Sequence, residues 1–405
     1  MLKTPEMQRD LMPDLIRAWA IIGIVLVNVE MFTGGVQAGY PDTGNPADHW
    51  AELIVNGFFT LKSYSLFSMM FGAGLGYQLL SAERSETSAT GRYYRRMIGL
   101  LALGLLHVIF LFLGDILVTY ALLGSLLYFC RNGRAKTLIT WGIILVVIQA
   151  GIMLLGAGAM AMMEGINDPA ARRQFEEGMA QQQDAFLAID AVFREGSFMD
   201  VAMARLSLLP GLIFTVIFVQ GISAFGFFLI GLGFFKSGLL SQPDHKFWKT
   251  SLFILLPLGV LISWYGANTY VNAPARESAQ GLFGMAMMVI GSPFSSFGYI
   301  GLIALIARNA SGPVIRFLAR GGSATLTAYL LQSVIMCIIT LQFGLGLFGQ
   351  MTAATAVLIA LATGIATLCF VSLWLKWFKR GPMEILLRRW TYLGYKSPMQ
   401  REPAQ

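Results

Sequence analysis

Residues 97–130 read MIGLLALGLLHVIFLFLGDILVTYALLGSLLYFC, a stretch without Lys, Arg or Glu that holds one histidine, His107, and one aspartate, Asp115. A bilayer core of about 30 Å is crossed by roughly 20 apolar residues of helix. Two apolar runs, 97–113 and 116–130, are separated here only by Gly114 and Asp115, which predicts a tight helical hairpin. Basic clusters bound it: Arg92, Arg95 and Arg96 before, Arg131, Arg134 and Lys136 after. The whole chain shares this character, with 405 residues of which 56% are hydrophobic and 13% charged, and a mean hydropathy of +0.64. The charged share is about half of the usual ~25%. A soluble chain of this length needs more charge to cover its surface, so a soluble enzyme, a disordered protein and a secreted disulfide scaffold are excluded. The fold class is all-α, a polytopic transmembrane helical bundle.

Working outward from the hairpin gives about ten spans, at roughly 15–33, 57–80, 97–113, 116–130, 137–160, 208–235, 250–270, 281–306, 322–344 and 352–376. Asp10, Asp14 and Arg17 crowd the start of the first run, which therefore reads as a retained transmembrane helix rather than a cleaved signal. An even number of spans returns the C-terminus to the side of the N-terminus. With both termini cytoplasmic, Arg172, Arg173, Arg194, Arg205, Arg276 and Lys62 are the only outer positions among 29 Lys and Arg, as the positive-inside rule requires. Residues 1–405 are then a single integral membrane domain, expected in the inner membrane of a bacterium. Its outer segment, 161–207, is acidic and rich in Met and Gln and should be partly helical, while 377–405 is a cytoplasmic C-terminal segment.

The net charge of +7 is gathered in these topology clusters, with no basic stripe interleaved with aromatics, so no nucleic-acid partner is expected. Cys130, Cys337 and Cys369 fall in or at the ends of apolar runs without metal-ligand spacing and read as small hydrophobes. No metal site is expected. The Gly72-Ala73-Gly74 run lies within a span, where it should allow close helix packing rather than cradle a phosphate.

Polar groups at bilayer depth are costly and each raises a functional question. Asn28 lies eleven residues past Arg17, and His107 eleven past Arg96. At 1.5 Å per residue both sit roughly 16 Å from the inner charged boundary. Gln332 and Ser333, counted from Arg320, and Ser295 and Ser296, counted from Arg308, reach the same level. His107 is the sharpest of these, since a neutral imidazole takes a proton from a hydroxyl or amine near neutral pH. The competing reading is a histidine that only hydrogen-bonds a neighbouring helix, and for Asn28, Gln332 and the serines the competing reading is interhelical bonding. Continuing the helix past His107 puts Asp115 about 12 Å further out. There it could join Lys62 and Glu30 in an outer charge network, with Lys62 paired to Asp115 or Glu30, either at a substrate site or as a structural ion pair. On the inner side Arg17, Arg95, Arg96, Arg316, Arg320, Arg388 and Arg389 are topology determinants whose guanidinium groups also suit a pyrophosphate.

The segments that carry these residues resemble the YeiB-like family, also called domain of unknown function 418. The resemblance runs through Asp14-x-x-Arg17-Ala18-x-Ala20-Ile21 to Asn28, Lys62 with Leu66-Phe67-Ser68-x-x-Phe71-Gly72-Ala73-Gly74, and Gly104-Leu105-Leu106-His107 with Gly114-Asp115-Ile116-Leu117 and Tyr120-Ala121. It continues in Leu326-Thr327-x-Tyr329-Leu330-x-Gln332-Ser333 and Gly381-Pro382-x-Glu384 with Arg388 and Thr391-Tyr392. Ser323 and Ala328 stand where the family usually has Arg and Asn. The first span is similar to that of heparan-alpha-glucosaminide N-acetyltransferase and, more distantly, of acyltransferase family 3 membrane proteins. That similarity implies transfer of an acyl group from cytosolic acyl-CoA to an acceptor at or beyond the far face. It implies an Asn like Asn28 near the thioester and a His, here His107, as acid and base. Gln332, Lys62, Asp115 and Glu30 would then contact substrate, and Arg17, Arg95, Arg96, Arg320 and Arg388 would hold the CoA phosphates. Expected partners are membrane lipids, a small-molecule, glycan or lipid acceptor, and a second copy in a homodimer. A transporter or flippase that uses the same polar residues without chemistry, or a non-catalytic membrane interaction protein, are the alternatives.

Overall fold

The computed structural model describes residues 11–34, 39–41, 43–84, 88–215, 220–308 and 312–393, and among them no strand occurs. Sixteen α-helices follow in order: α1 (Leu11–Thr33), α2 (Pro46–Ile54), α3 (Lys62–Arg84), α4 (Ala89–Phe110), α5 (Leu117–Leu127), α6 (Ala135–Glu164), α7 (Pro169–Glu195), α8 (Phe198–Thr215), α9 (Gly221–Lys236), α10 (Lys246–Thr250), α11 (Leu256–Val271), α12 (Ala279–Arg308), α13 (Pro313–Gly322), α14 (Thr325–Thr340), α15 (Ala353–Trp377) and α16 (Pro382–Thr391). In lipid every backbone polar group needs a partner within the protein, so long apolar runs become helices.

Among the described residues six helices are long and apolar enough to cross a membrane: α1, α4, α6, α10 continued through a π-helical turn into α11, α12 and α15. A seventh crossing forms if α13 and α14, bent by 80° at a short break, count as one span. The chain is a membrane protein. The other expected spans take different forms. At 57–80 stands α3, long but less apolar; at 116–130 stands α5 with a single 3-10 turn, and at 208–235 two helices, α8 and α9, replace one. Eleven residues of α5 rise only about 16 Å, too little to cross alone.

Close helix contacts use glycine on both sides. A Cβ on Gly72 of α3 would strike the Phe228 backbone of α9, and one on Gly231 of α9 would strike the Met69 backbone of α3. Gly266 and Gly284 bring α11 and α12 together in the same way. Gly74 meets nothing, so of the Gly72-Ala73-Gly74 run only Gly72 performs this packing role.

The segment 161–207 is more ordered than expected. After the end of α6, α7 and α8 occupy nearly all of it, and Phe193, Val201, Ala202 and Arg205 are buried. Phe198 stacks on Phe110 at the end of α4 with ring centroids 5.8 Å apart. The α7–α8 unit therefore covers the tip of the α4–α5 hairpin. At the opposite, basic end α16 docks on α4, where the Trp390 indole donates to Arg95 O at 2.8 Å.

A buried Asp–His–Ser relay as candidate functional site

Helix α4 stops at Phe110, and the chain reverses within residues 111–116 before α5 begins. The reversal carries Asp115 back beside His107. The Asp115 Oδ1 lies 2.8 Å from His107 Nδ1, and Asp115 Oδ2 accepts from Val118 N at 2.8 Å. On the other edge of the ring His107 Nε2 lies 2.8 Å from the Ser333 hydroxyl of α14. All three side chains are buried: His107 is 1% exposed, Asp115 5% and Ser333 2%. An ionised Asp115 only accepts hydrogen bonds, so it holds the proton on Nδ1 and leaves the Nε2 lone pair facing the Ser333 hydroxyl. The expected outward position of Asp115 is corrected, because that estimate assumed a helix continuing past His107.

The reversal lies in buried, non-helical backbone, and its polar groups find partners. Leu111 N and Phe112 N both donate to His107 O, at 2.9 and 2.8 Å. The Cys337 thiol donates to Leu111 O at 2.9 Å, and Ile116 N donates to the Tyr329 hydroxyl at 3.4 Å. Cys337 is thus a hydrogen-bonding residue as well as a small hydrophobe. The Tyr329 ring also lies 4.9 Å from the His107 ring, centroid to centroid. Gly104 is required on the facing turn of α4, since a Cβ there would come within 2.7 Å of Val118 N and 3.0 Å of Asp115 Oδ2.

Ser333 is positioned from the C-terminal end of the chain. The first turn of α14 has free N–H groups, and Glu384 Oε1 accepts from Leu326 N at 2.8 Å and Thr327 N at 3.2 Å. Glu384 Oε2 accepts from the Thr327 hydroxyl at 2.5 Å. The Gly381-Pro382-x-Glu384 motif is thus a cap for the helix that carries Ser333, with its charge at the positive end of the helix dipole.

The remaining candidates are dispersed. Asn28 is half-buried, and its amide makes no hydrogen bond among the described residues. One turn further along α1, Phe32 stacks on Phe112 with centroids 4.0 Å apart, and Phe112 in turn lies 6.2 Å from the His107 ring. Gln332 donates its amide protons to Ile21 O at 3.1 Å and Thr367 Oγ1 at 3.3 Å, tying α14 to α1 and α15. Lys62 is fully buried, and its ammonium donates to Asn56 O at 3.1 Å. The expected pairing of Lys62 with Asp115 or Glu30 does not form. The π-helical turn Val55–Phe59 ends just before α3, and its free Asn56 carbonyl takes the ammonium, while Glu30 and Glu52 share Arg276. Ser296 donates to Lys62 O at 3.5 Å, while Ser295 packs against Gly259 of α11. At the basic end Arg17 pairs with Asp14 at 2.9 Å, Arg95 donates to Leu393 O, and the Arg388 guanidinium sits 4.2 Å over the Tyr392 ring. Arg96 is held by none of these; its Nε is buried without a partner, within electrostatic reach of Arg17 and Glu384.

Residues 234–394 match the family model described as "Protein of unknown function (DUF418)". Over 401 residues the chain is 29% identical to "Uncharacterized protein YxaH" of Bacillus subtilis (strain 168), covering 95% of this chain and 94% of that protein. Over 406 residues it is 26% identical to "Uncharacterized protein YeiB" of Escherichia coli (strain K12), covering 95% and 97%. The chain is thus similar to the DUF418 family over its C-terminal part and to YxaH and YeiB over nearly all of its length. No solved structure matches it. The matched region contains Tyr329, Ser333 and Glu384, whereas His107 and Asp115 lie outside it. The relay is therefore assembled from both halves of the chain. Ser333 is the relay residue that its sequence context leaves inconspicuous, because a serine in a helix is cheap to bury. Its depth, shared with His107, is the only signal that singles it out.

Proposed function

We propose that this protein is an integral membrane acyltransferase of the bacterial inner membrane. It moves an acyl group from cytosolic acyl-CoA to a hydroxyl or amine on a small-molecule, glycan or lipid acceptor at the membrane or its outer face. The observation that carries this reading is the buried Asp115–His107–Ser333 relay. Asp115 orients the ring and stabilises the imidazolium, and His107 Nε2 is the base. Arg96, with Arg17 of α1 and Arg320 of α13, would meet the phosphates of the donor, while Arg95 and Arg388 are engaged by the C-terminal segment. The free amide of Asn28 would donate to the oxyanion, a task that Gln332, with its protons already engaged, does not share.

The test is release of CoA from acetyl-CoA and palmitoyl-CoA by purified protein in detergent, followed with a thiol reagent. Glutamine fills similar space but takes no proton near neutral pH, so His107→Gln should lower the rate roughly 10²–10⁴-fold with the thermal midpoint little changed. Wild-type release no faster than that of His107→Gln would sink the reading. Arg96→Gln should weaken the rise in thermal midpoint given by CoA. A second reading, transport, draws on the broken α13–α14 span, since discontinuous helices line many transporter sites. There the relay would carry a proton, and reconstituted vesicles would show flux without CoA release.

A further inference from the structure

We infer that Ser333 is the nucleophile and that transfer passes through an acyl ester on its hydroxyl, an inference that rests on the acyltransferase reading. Nε2 is the only basic atom of the relay with a free lone pair, and the Ser333 hydroxyl already occupies it at 2.8 Å. An acceptor cannot reach the base in this arrangement without first displacing Ser333. The Ser333 hydroxyl has one alternative acceptor, Tyr329 O, at the weaker distance of 3.4 Å. Other buried serines differ in this respect. Ser65 pairs with Ser292 at 2.9 Å and Ser68 with the Tyr120 hydroxyl at 2.7 Å, neither of which accepts a proton near neutral pH. Among the described residues only Ser333 joins a hydroxyl, a base and a carboxylate that orients the base.

In the first step Ser333 Oγ forms a bond to the thioester carbonyl carbon, and its proton passes to His107 Nε2. The C–S bond then breaks, and the thiolate takes that proton and leaves as CoA. In the second step the acceptor hydroxyl or amine gives a proton to Nε2 and bonds to the ester carbonyl carbon. The C–Oγ bond breaks, and Oγ recovers the proton. No oxidant or reductant is needed. Donor and acceptor therefore need not be bound together, and the donor class widens to any activated acyl ester that reaches the relay.

The experiment treats the full-length protein in detergent with a fluorophosphonate probe, which phosphonylates Ser Oγ with loss of fluoride, and separately with acetyl-CoA and palmitoyl-CoA, followed by peptide mass mapping. The expected result is an adduct on the peptide containing Ser333, absent from Ser333→Ala and formed at least 100-fold more slowly in His107→Gln. Ser333→Cys guards against a misfolded alanine variant: its acyl adduct should be a thioester that neutral hydroxylamine removes. CoA release that persists in Ser333→Ala, or an adduct that maps elsewhere, overturns the covalent step and leaves the transferase reading standing. Absence of both CoA release and any adduct in wild type overturns both.

Discussion

Asp115 does two jobs that substitution can separate. Its Oδ2 holds Val118 N at the start of α5, and its Oδ1 holds the His107 ring. Asp115→Asn keeps an oxygen for Val118 N, but its amide donates to Nδ1 and places the ring proton on Nε2, the wrong edge for a base. Asp115→Asn should therefore fold with a near-normal thermal midpoint and lose roughly 10²–10⁴ in CoA-release rate. Asp115→Ala leaves Val118 N and His107 Nδ1 without partners in a buried site, and should cost several kcal/mol of stability as well. Equal thermal midpoints for the two variants would show that the Val118 bond contributes little. Ser333 shows how little a residue's own chemistry reveals: its role comes from the atom it faces.

At the scale of elements, Glu384 and Asp48 each fasten the N-terminus of a helix distant in sequence, α14 and α15. Glu384→Ala should lower stability by about 1–2 kcal/mol, the usual worth of a strong cap, and should reduce turnover further because α14 carries Ser333. Glu384→Gln, which can still accept from Leu326 N, should recover part of both, as read by thermal unfolding in detergent. Asp48 of α2 accepts from the Thr43 hydroxyl at 2.5 Å and from Ala354 N of α15 at 2.8 Å. These bonds, Thr43 first, hold its carboxyl below the usual carboxylate range. A folded value below the unfolded one means that the bond stabilises fully above the ordinary carboxylate range, about 4, and loses its effect as pH falls through the lowered value. The thermal-midpoint gap between wild type and Asp48→Asn should thus be open at neutral pH and close under acid. A gap independent of pH would remove Asp48 as the titrating group.

For the whole molecule the property that sets the direction of transfer is which end faces the cytoplasm. Charge asymmetry predicts that the end with Arg17, Arg96, Arg320 and Arg388 is inside. Ala180→Cys on the exposed face of α7 should then react with an impermeant thiol reagent in intact cells, and Ser81→Cys near the end of α3 should react only after permeabilisation. The reverse pattern would invert the proposed direction of transfer. The α7–α8 unit also packs against the C-terminal end of α4 through Phe198 on Phe110, three residues beyond His107.

Helix and membrane were legible in the residues alone because both follow from local physics. A long apolar run in lipid has no partner for its backbone except itself, and a lone histidine within such a run stands out at once. His107 was found in this way, as was the hairpin at Gly114-Asp115. What the sequence could not determine is where side chains meet. A helical count misplaces Asp115, because a rise of 1.5 Å per residue holds only while the helix continues, and Phe110 ends it. Lys62, Glu30 and Gln332 meet partners that their sequence positions do not indicate, Asn56 O, Arg276, and Ile21 O with Thr367. Ser333 joined His107 only because α4, the 111–116 reversal and the Glu384-capped α14 converge at one point. A contact between residues 226 positions apart is decided by packing, and packing is a property of the assembled helices rather than of any one stretch of chain.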